Sequence, residues 1–129
     1  MLWVLDSTVL IDYLRGRPAV GRVSALIDAG DIAATTALNV EEIFRGLRPG
    51  EEPAATELFS GLQVIAVDAA AAWQAGDWRR GFAMRGVTLW EADCLVAATA
   101  KVNGAEFVTG NPGDFPMSEL EVIHWPVGR

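Results

Sequence analysis

The chain has one cysteine, one histidine and one lysine among its 129 residues. Cys94 alone rules out an internal disulfide and cannot build a thiolate metal site. His124, with no second histidine or cysteine near it, is expected to pack within a strand. Long apolar runs are missing too. Asp68 interrupts the longest, Leu62 to Trp73, so no membrane span is expected. The opening Met1 to Asp6 has neither the basic region nor the cleavage site of a signal peptide, and a cytoplasmic protein is expected. No P-loop, nucleophile elbow or glycine-rich dinucleotide fingerprint is present. Positive charge is scarce: 10 basic against 17 acidic residues, a net charge of -7. That excludes a broad electrostatic footprint for nucleic acid. It leaves room for a nucleic-acid enzyme, because a bound divalent cation inverts the local field where acids cluster. All the basic residues but Lys101 are arginine, the better partner for phosphate.

Half of the chain is hydrophobic, and 129 residues suit one globular domain, residues 1–129. Leu2 to Leu5 reads as a strand buried on both faces. A helix over Val9 to Arg15 follows, stopped by Gly16 and Pro18. Ala19 to Ala29 reads as a second helix and Ile32 to Thr35 as a second strand. A third helix, Val40 to Leu47, is capped by Thr36 or Asn39, with Ile43, Phe44 and Leu47 as core and Glu41 solvated. A short helix over Glu51 to Gly61, a strand over Leu62 to Val67 and a long helix from Ala69 to Arg85 come next. Asp68 is assigned the cap of that long helix. Thr88 and Glu91 have capping-box spacing, so the following helix is expected to begin at Thr88. Glu106 to Thr109 and Glu121 to Trp125 are the last strands, separated by a breaker-rich loop. Strands alternating with helices predict a three-layer α/β/α fold around a mainly parallel sheet.

Three acids occupy comparable places in this pattern. Asp6 follows the first strand directly, while Glu42 and Asp93 stand near helix N-termini. Ser7 or Thr8 can cap the first helix, which frees Asp6 for another role. In a parallel α/β sheet, strand ends and the helix starts that follow lie on one edge, so the three acids can converge there. Converging carboxylates repel one another and take up protons unless a cation joins them. An all-oxygen site selects a hard ion such as Mg²⁺ or Mn²⁺. Such an ion orients and polarises a phosphodiester and activates water.

The stretch Leu5-Asp6-Ser7-Thr8-Val9-Leu10-Ile11-Asp12-Tyr13-Leu14-Arg15-Gly16 resembles the opening of PIN-domain proteins, especially the VapC-type toxins. Glu42 to Gly46 is similar to their central acidic helix, Asp93 to Ala100 to their third motif, and Val108 to Phe115 to their fourth. The order and spacing run through nearly the whole chain. This resemblance implies a PIN-like fold and a Mg²⁺- or Mn²⁺-dependent ribonuclease of a toxin–antitoxin pair. It implies a homodimer acting on RNA and silenced by a cognate antitoxin. Asp6 and Asp93 would be the main metal ligands and Glu42 a further ligand or water-positioning group. Asn111 stands where some members carry an acid. Asp114, three residues on, then either supplies the missing charge at the catalytic site or caps the turn before Phe115. A catalytically silent PIN fold that only binds, and a receiver-like signalling domain, are the rival readings. The second wants adjacent acids after its first strand and a late lysine. Here Ser7 follows Asp6, and no lysine follows Lys101.

Overall fold

A computed structural model describes residues 1–128. Five parallel strands form one sheet in the order β3-β2-β1-β4-β5, with β1 Leu2–Leu5, β2 Ile32–Thr36, β3 Gln63–Ile65, β4 Glu106–Thr109 and β5 Val122–His124. Helices α1 (Ser7–Leu14), α2 (Ala19–Asp28), α3 (Ala37–Arg45) and α4 (Glu52–Ser60) cover one face; α5 (Ala69–Ala83) and α6 (Glu91–Val102) cover the other. Strand residues alternate between the two cores because their side chains have a period of two. Val4, Ala34 and Phe107 face α5 and α6, whereas Leu5, Ala33 and Val108 face α1 to α4. The expected three layers are there. No described helix is long and apolar enough to cross a membrane.

Sheet order decides where a ligand can sit. From β1 the chain moves outward through β2 to β3, then returns through α5 and α6 to β4 on the other side of β1. The direction of winding reverses between β1 and β4, and such switch points open a crevice at the carboxyl ends of the strands.

Several local expectations give way to tertiary packing. The sixth helix starts at Glu91, with Trp90 at its N-cap, and not at Thr88. Leu89 is pulled into the core and the Arg79 Nε–H donates to its carbonyl (3.2 Å), which holds the preceding residues out of helical geometry. Helix α3 starts at Ala37, earlier than Val40, because the Asn39 side chain accepts from both the N–H and the hydroxyl of Thr36. Phe44 is 38 % exposed and stacks on Phe59 instead of entering the core. His124 is exposed on the edge strand β5 rather than packed within the sheet. The cap assigned to Asp68 is present, its carboxylate accepting from the Ala71 N–H.

Candidate active site

Asp6 is the first residue beyond β1, its own N–H bonded to the Val108 carbonyl of β4 (2.9 Å), so it stands in the switch-point crevice. It occupies the N-cap position of α1, yet its side chain makes no capping bond. Neither Ser7 nor Thr8 caps the helix in its place, since their hydroxyls serve carboxylates. The Asp6 side chain is 7 % exposed and takes two hydroxyls on Oδ2, from Thr109 at 2.8 Å and Thr8 at 3.3 Å. Burial pushes its carboxyl above the usual range; the Thr109 bond and the Ser7 N–H pull it down, and Glu42 pushes it up.

The hydroxyls around Asp6 are themselves held by backbone amides. Thr109 accepts the Asn111 N–H (3.0 Å), Thr8 accepts the Gly110 N–H (2.9 Å), and the two oxygens lie 3.3 Å apart. Each hydroxyl has a single hydrogen. Each oxygen takes an amide on one lone pair, and each hydroxyl stands within donating distance of Asp6 Oδ2. A second relay serves Glu42. The Asn39 amide, fully buried, donates to Ser7 Oγ (2.9 Å), and Ser7 donates to Glu42 Oε1 (2.9 Å). Glu42 itself is in the second turn of α3, further from the helix start than its spacing implied.

Asp93 is the third residue of α6, inside the first turn, where the helix dipole favours a carboxylate. It is partly buried, and among the described residues no side-chain hydrogen bond reaches its carboxylate. Its carboxyl is pushed up to about 6, by burial first and then by the charges of Asp6, Asp114 and Glu42. The acids whose charges raise it, Asp6, Asp114 and Glu42, lie toward this edge of the sheet. Asp114, in a short 3-10 turn over Pro112–Asp114, is exposed and accepts from the Asn111 amide at 2.6 Å. Backbone bonds close the turn, and the Asn111–Asp114 bond ties its two ends together. Next door, burial raises the Cys94 thiol to about 11, which leaves it unreactive.

This donor set fits a hard divalent ion. It consists of carboxylates and hydroxyls, with no nitrogen or sulfur ligand, and it carries repulsion that a cation relieves. Among the described residues, no three carboxylates, histidines or cysteines stand close enough to cage an ion. Mg²⁺ does not require a cage, because it keeps several waters and takes one or two carboxylates directly. The residues that sequence reasoning passed over are the neutral ones: Thr8, Ser7, Asn39 and Thr109. Polar side chains at the ends of buried strands were the available signal.

The relay makes Thr109 the most informative of these. Thr109→Val removes the donor that favours the ionised form of Asp6 and is expected to lower stability by about 1–3 kcal/mol. Loss of a group that orients a ligand costs about 10- to 100-fold in metal affinity. Chemical denaturation and a Mn²⁺ titration of the same variant measure both.

Residues 3–116 match the model of the PIN domain, and the chain belongs to that family. It is 33 % identical over 115 residues to ribonuclease VapC19 of Mycobacterium tuberculosis, covering 88 % of this chain and 92 % of that one. It is also 33 % identical over 118 residues to ribonuclease VapC10 of the same organism, covering 90 % and 87 %. Among solved structures, VapBC2 from Rickettsia felis bound to a promoter DNA fragment superposes with a TM-score of 0.85, at 20 % identity over 97 % of this chain and 99 % of that one. DNA-bound VapBC from Salmonella typhimurium gives 0.81, at 25 % identity and the same coverage.

Proposed function

We propose that the chain is an endoribonuclease of the toxin–antitoxin kind, a phosphodiester hydrolase that works with Mg²⁺ or Mn²⁺ at the edge formed by Asp6, Glu42, Asp93 and Asp114. The single observation that carries this is the place of Asp6 at the switch point, with Glu42 tied to its neighbour Ser7 and Asp114 linked to it through Asn111 and Thr109, in a chain one-third identical to ribonucleases VapC19 and VapC10. A receiver-like role falls with the family assignment. Residues 1–129 are read as one such domain, and the cytoplasm as its place of action.

Asp6 and Asp93 would hold the ion. When bound, it supplies polarisation of the scissile phosphate and a water of lowered pKa. The chain's own groups do the rest. The Thr8 and Thr109 hydroxyls favour the ionised form of Asp6 and aim it, and the buried Asn39 to Ser7 relay fixes Glu42, which would orient a water. Four acids at one edge repel a phosphodiester, so RNA approaches only when a cation is in place. The same charge suits a cationic side chain, and an antitoxin arginine in the metal's position would silence the site. A homodimer is part of the same reading.

Cleavage of single-stranded RNA by the purified chain, with Mg²⁺ or Mn²⁺ and then with excess chelator, tests the proposal. Activity that vanishes with chelator and returns with either ion is expected; undiminished activity in chelator rejects it. Asp114→Asn separates the primary from the peripheral acids. At an exposed position it should move stability by less than about 0.5 kcal/mol. It should weaken metal binding and cleavage together by under about tenfold, and Asn111→Asp should recover part of both. Unchanged metal affinity in Asp114→Asn would assign Asp114 to the loop alone.

A further inference from the structure

We infer that the C-terminal segment Trp125 to Gly128, with Asp12 as its anchor, is a positioning element for Asp6. The inference rests on reading the acidic edge as a metal site, and it starts from a carboxylate that edge does not use. Asp12 is 2 % exposed, and lies on α1 at the end remote from Asp6. Its Oδ2 accepts the Ala19 N–H at the start of α2 (2.9 Å), and its Oδ1 accepts the Gly128 N–H (2.8 Å). A buried carboxylate needs such donors. Asp12 therefore ties the helix that begins beside Asp6 to the last described residue of the chain.

The rest of the segment lands on the other element that holds Asp6. The Trp125 N–H donates to the Thr109 carbonyl (2.9 Å), and the Trp125 ring stacks on Trp3 of β1 with centroids 6.4 Å apart. Arg22 clamps it from α2, donating to the Pro126 carbonyl (2.7 Å) while lying over the Trp125 ring. Val127 then closes over Gly110. A Cβ placed on Gly110 would stand 2.5 Å from Val127 Cγ1 and 3.3 Å from Thr8 Oγ1, so only glycine leaves room for this approach. Gly110 is the residue whose N–H orients the Thr8 hydroxyl, and Asn111 does the same for Thr109. The segment thus packs against both arms of the relay that aims Asp6, Thr109 through its carbonyl and Thr8 through Gly110. It touches no reacting atom; its effect on the site passes through Thr8, Gly110 and Thr109.

The test uses a chain ending at Trp125, together with Asp12→Asn and Gly110→Ala in the full chain. Amide exchange at Gly110 and Asn111 is followed by NMR, and Mn²⁺ affinity by calorimetry. Leu58→Ala, a core truncation on α4 with no link to the relay, is the control for lost stability. Faster exchange at both amides is expected in all three variants, with Mn²⁺ affinity about tenfold weaker, as for loss of groups that orient a ligand. Leu58→Ala should melt earlier yet keep native exchange and affinity. Should the shortened chain not fold, the two point variants decide. Native exchange and affinity in variants that fold overturn the inference, as does an equal loss of affinity in Leu58→Ala. If the parent chain binds no Mn²⁺ at all, the metal reading fails, while the exchange rates still judge the segment's hold on the relay.

Discussion

Asp93→Asn is expected to abolish RNA cleavage, by about a thousandfold or more, and to raise the melting temperature at the same time. The first figure follows from the several kcal/mol that a bound ion contributes to a phosphoryl transition state, at about 1.36 kcal/mol per decade. The second follows from the setting of the side chain. Burial and three neighbouring acids hold its carboxyl at about 6, so its ionised form is a cost to the folded chain. Removing the charge removes that cost. For a group half open to solvent the gain is on the order of 1 kcal/mol, or a few degrees. Opposite signs for activity and stability distinguish a functional acid from a structural one. A variant that loses both points to a misfolded protein; one that keeps its activity removes Asp93 from the site.

The second large effect is the dependence of stability on pH and metal. Asp93 binds its proton more tightly in the folded chain than the ordinary value of 3.8, and Asp6 shifts in the same direction. A raised carboxyl contributes no penalty below about pH 4, where it is protonated in both states. Stability then falls as pH rises toward about 6 and remains lower above it. A divalent ion binds the ionised carboxylates and reverses this. Mn²⁺ should leave the melting temperature unchanged in acid and raise it increasingly above about pH 6, by roughly 2.7 kcal/mol of stabilisation at a hundred times its Kd. Differential scanning calorimetry across that range, with and without the ion, measures it. Equal stabilisation at acid and alkaline pH, or in Asp93→Asn, contradicts a site built on these acids.

Much of this arrangement was legible in the residues alone. Leu2–Leu5 announced a strand buried on both faces, and Asp6 directly after it had to lie at the carboxyl edge of a parallel sheet. Asp93 was readable as an acid in a helix start, although the start itself was misplaced by the capping-box spacing of Thr88 and Glu91. Local spacing lost there because burying Leu89 sets the path of the chain. Phe44 and His124 were misassigned for a related reason. Periodicity tells which residues share a face, but not whether another element covers that face. The relays were invisible in advance. Thr109 and Thr8 are 101 residues apart, and only the pairing of β1 with β4 brings their hydroxyls together. Asn39 was one of two cap candidates beside Thr36, and its oxygen does accept from Thr36. Its amide hydrogens were then free to hold Ser7, a second role that no spacing rule encodes.

The most direct test of a metal-dependent acidic site is RNA cleavage followed through a Mn²⁺ titration of the purified chain, beside the thermal stabilisation produced by the same ion. The cleavage rate should rise from nothing and saturate with the midpoint that the stabilisation gives, and Thr109→Val should move both midpoints upward together. Cleavage that proceeds at full rate in chelator, or that saturates at a concentration unrelated to the stabilising site, would contradict the assignment of Asp6, Glu42 and Asp93 as the working centre.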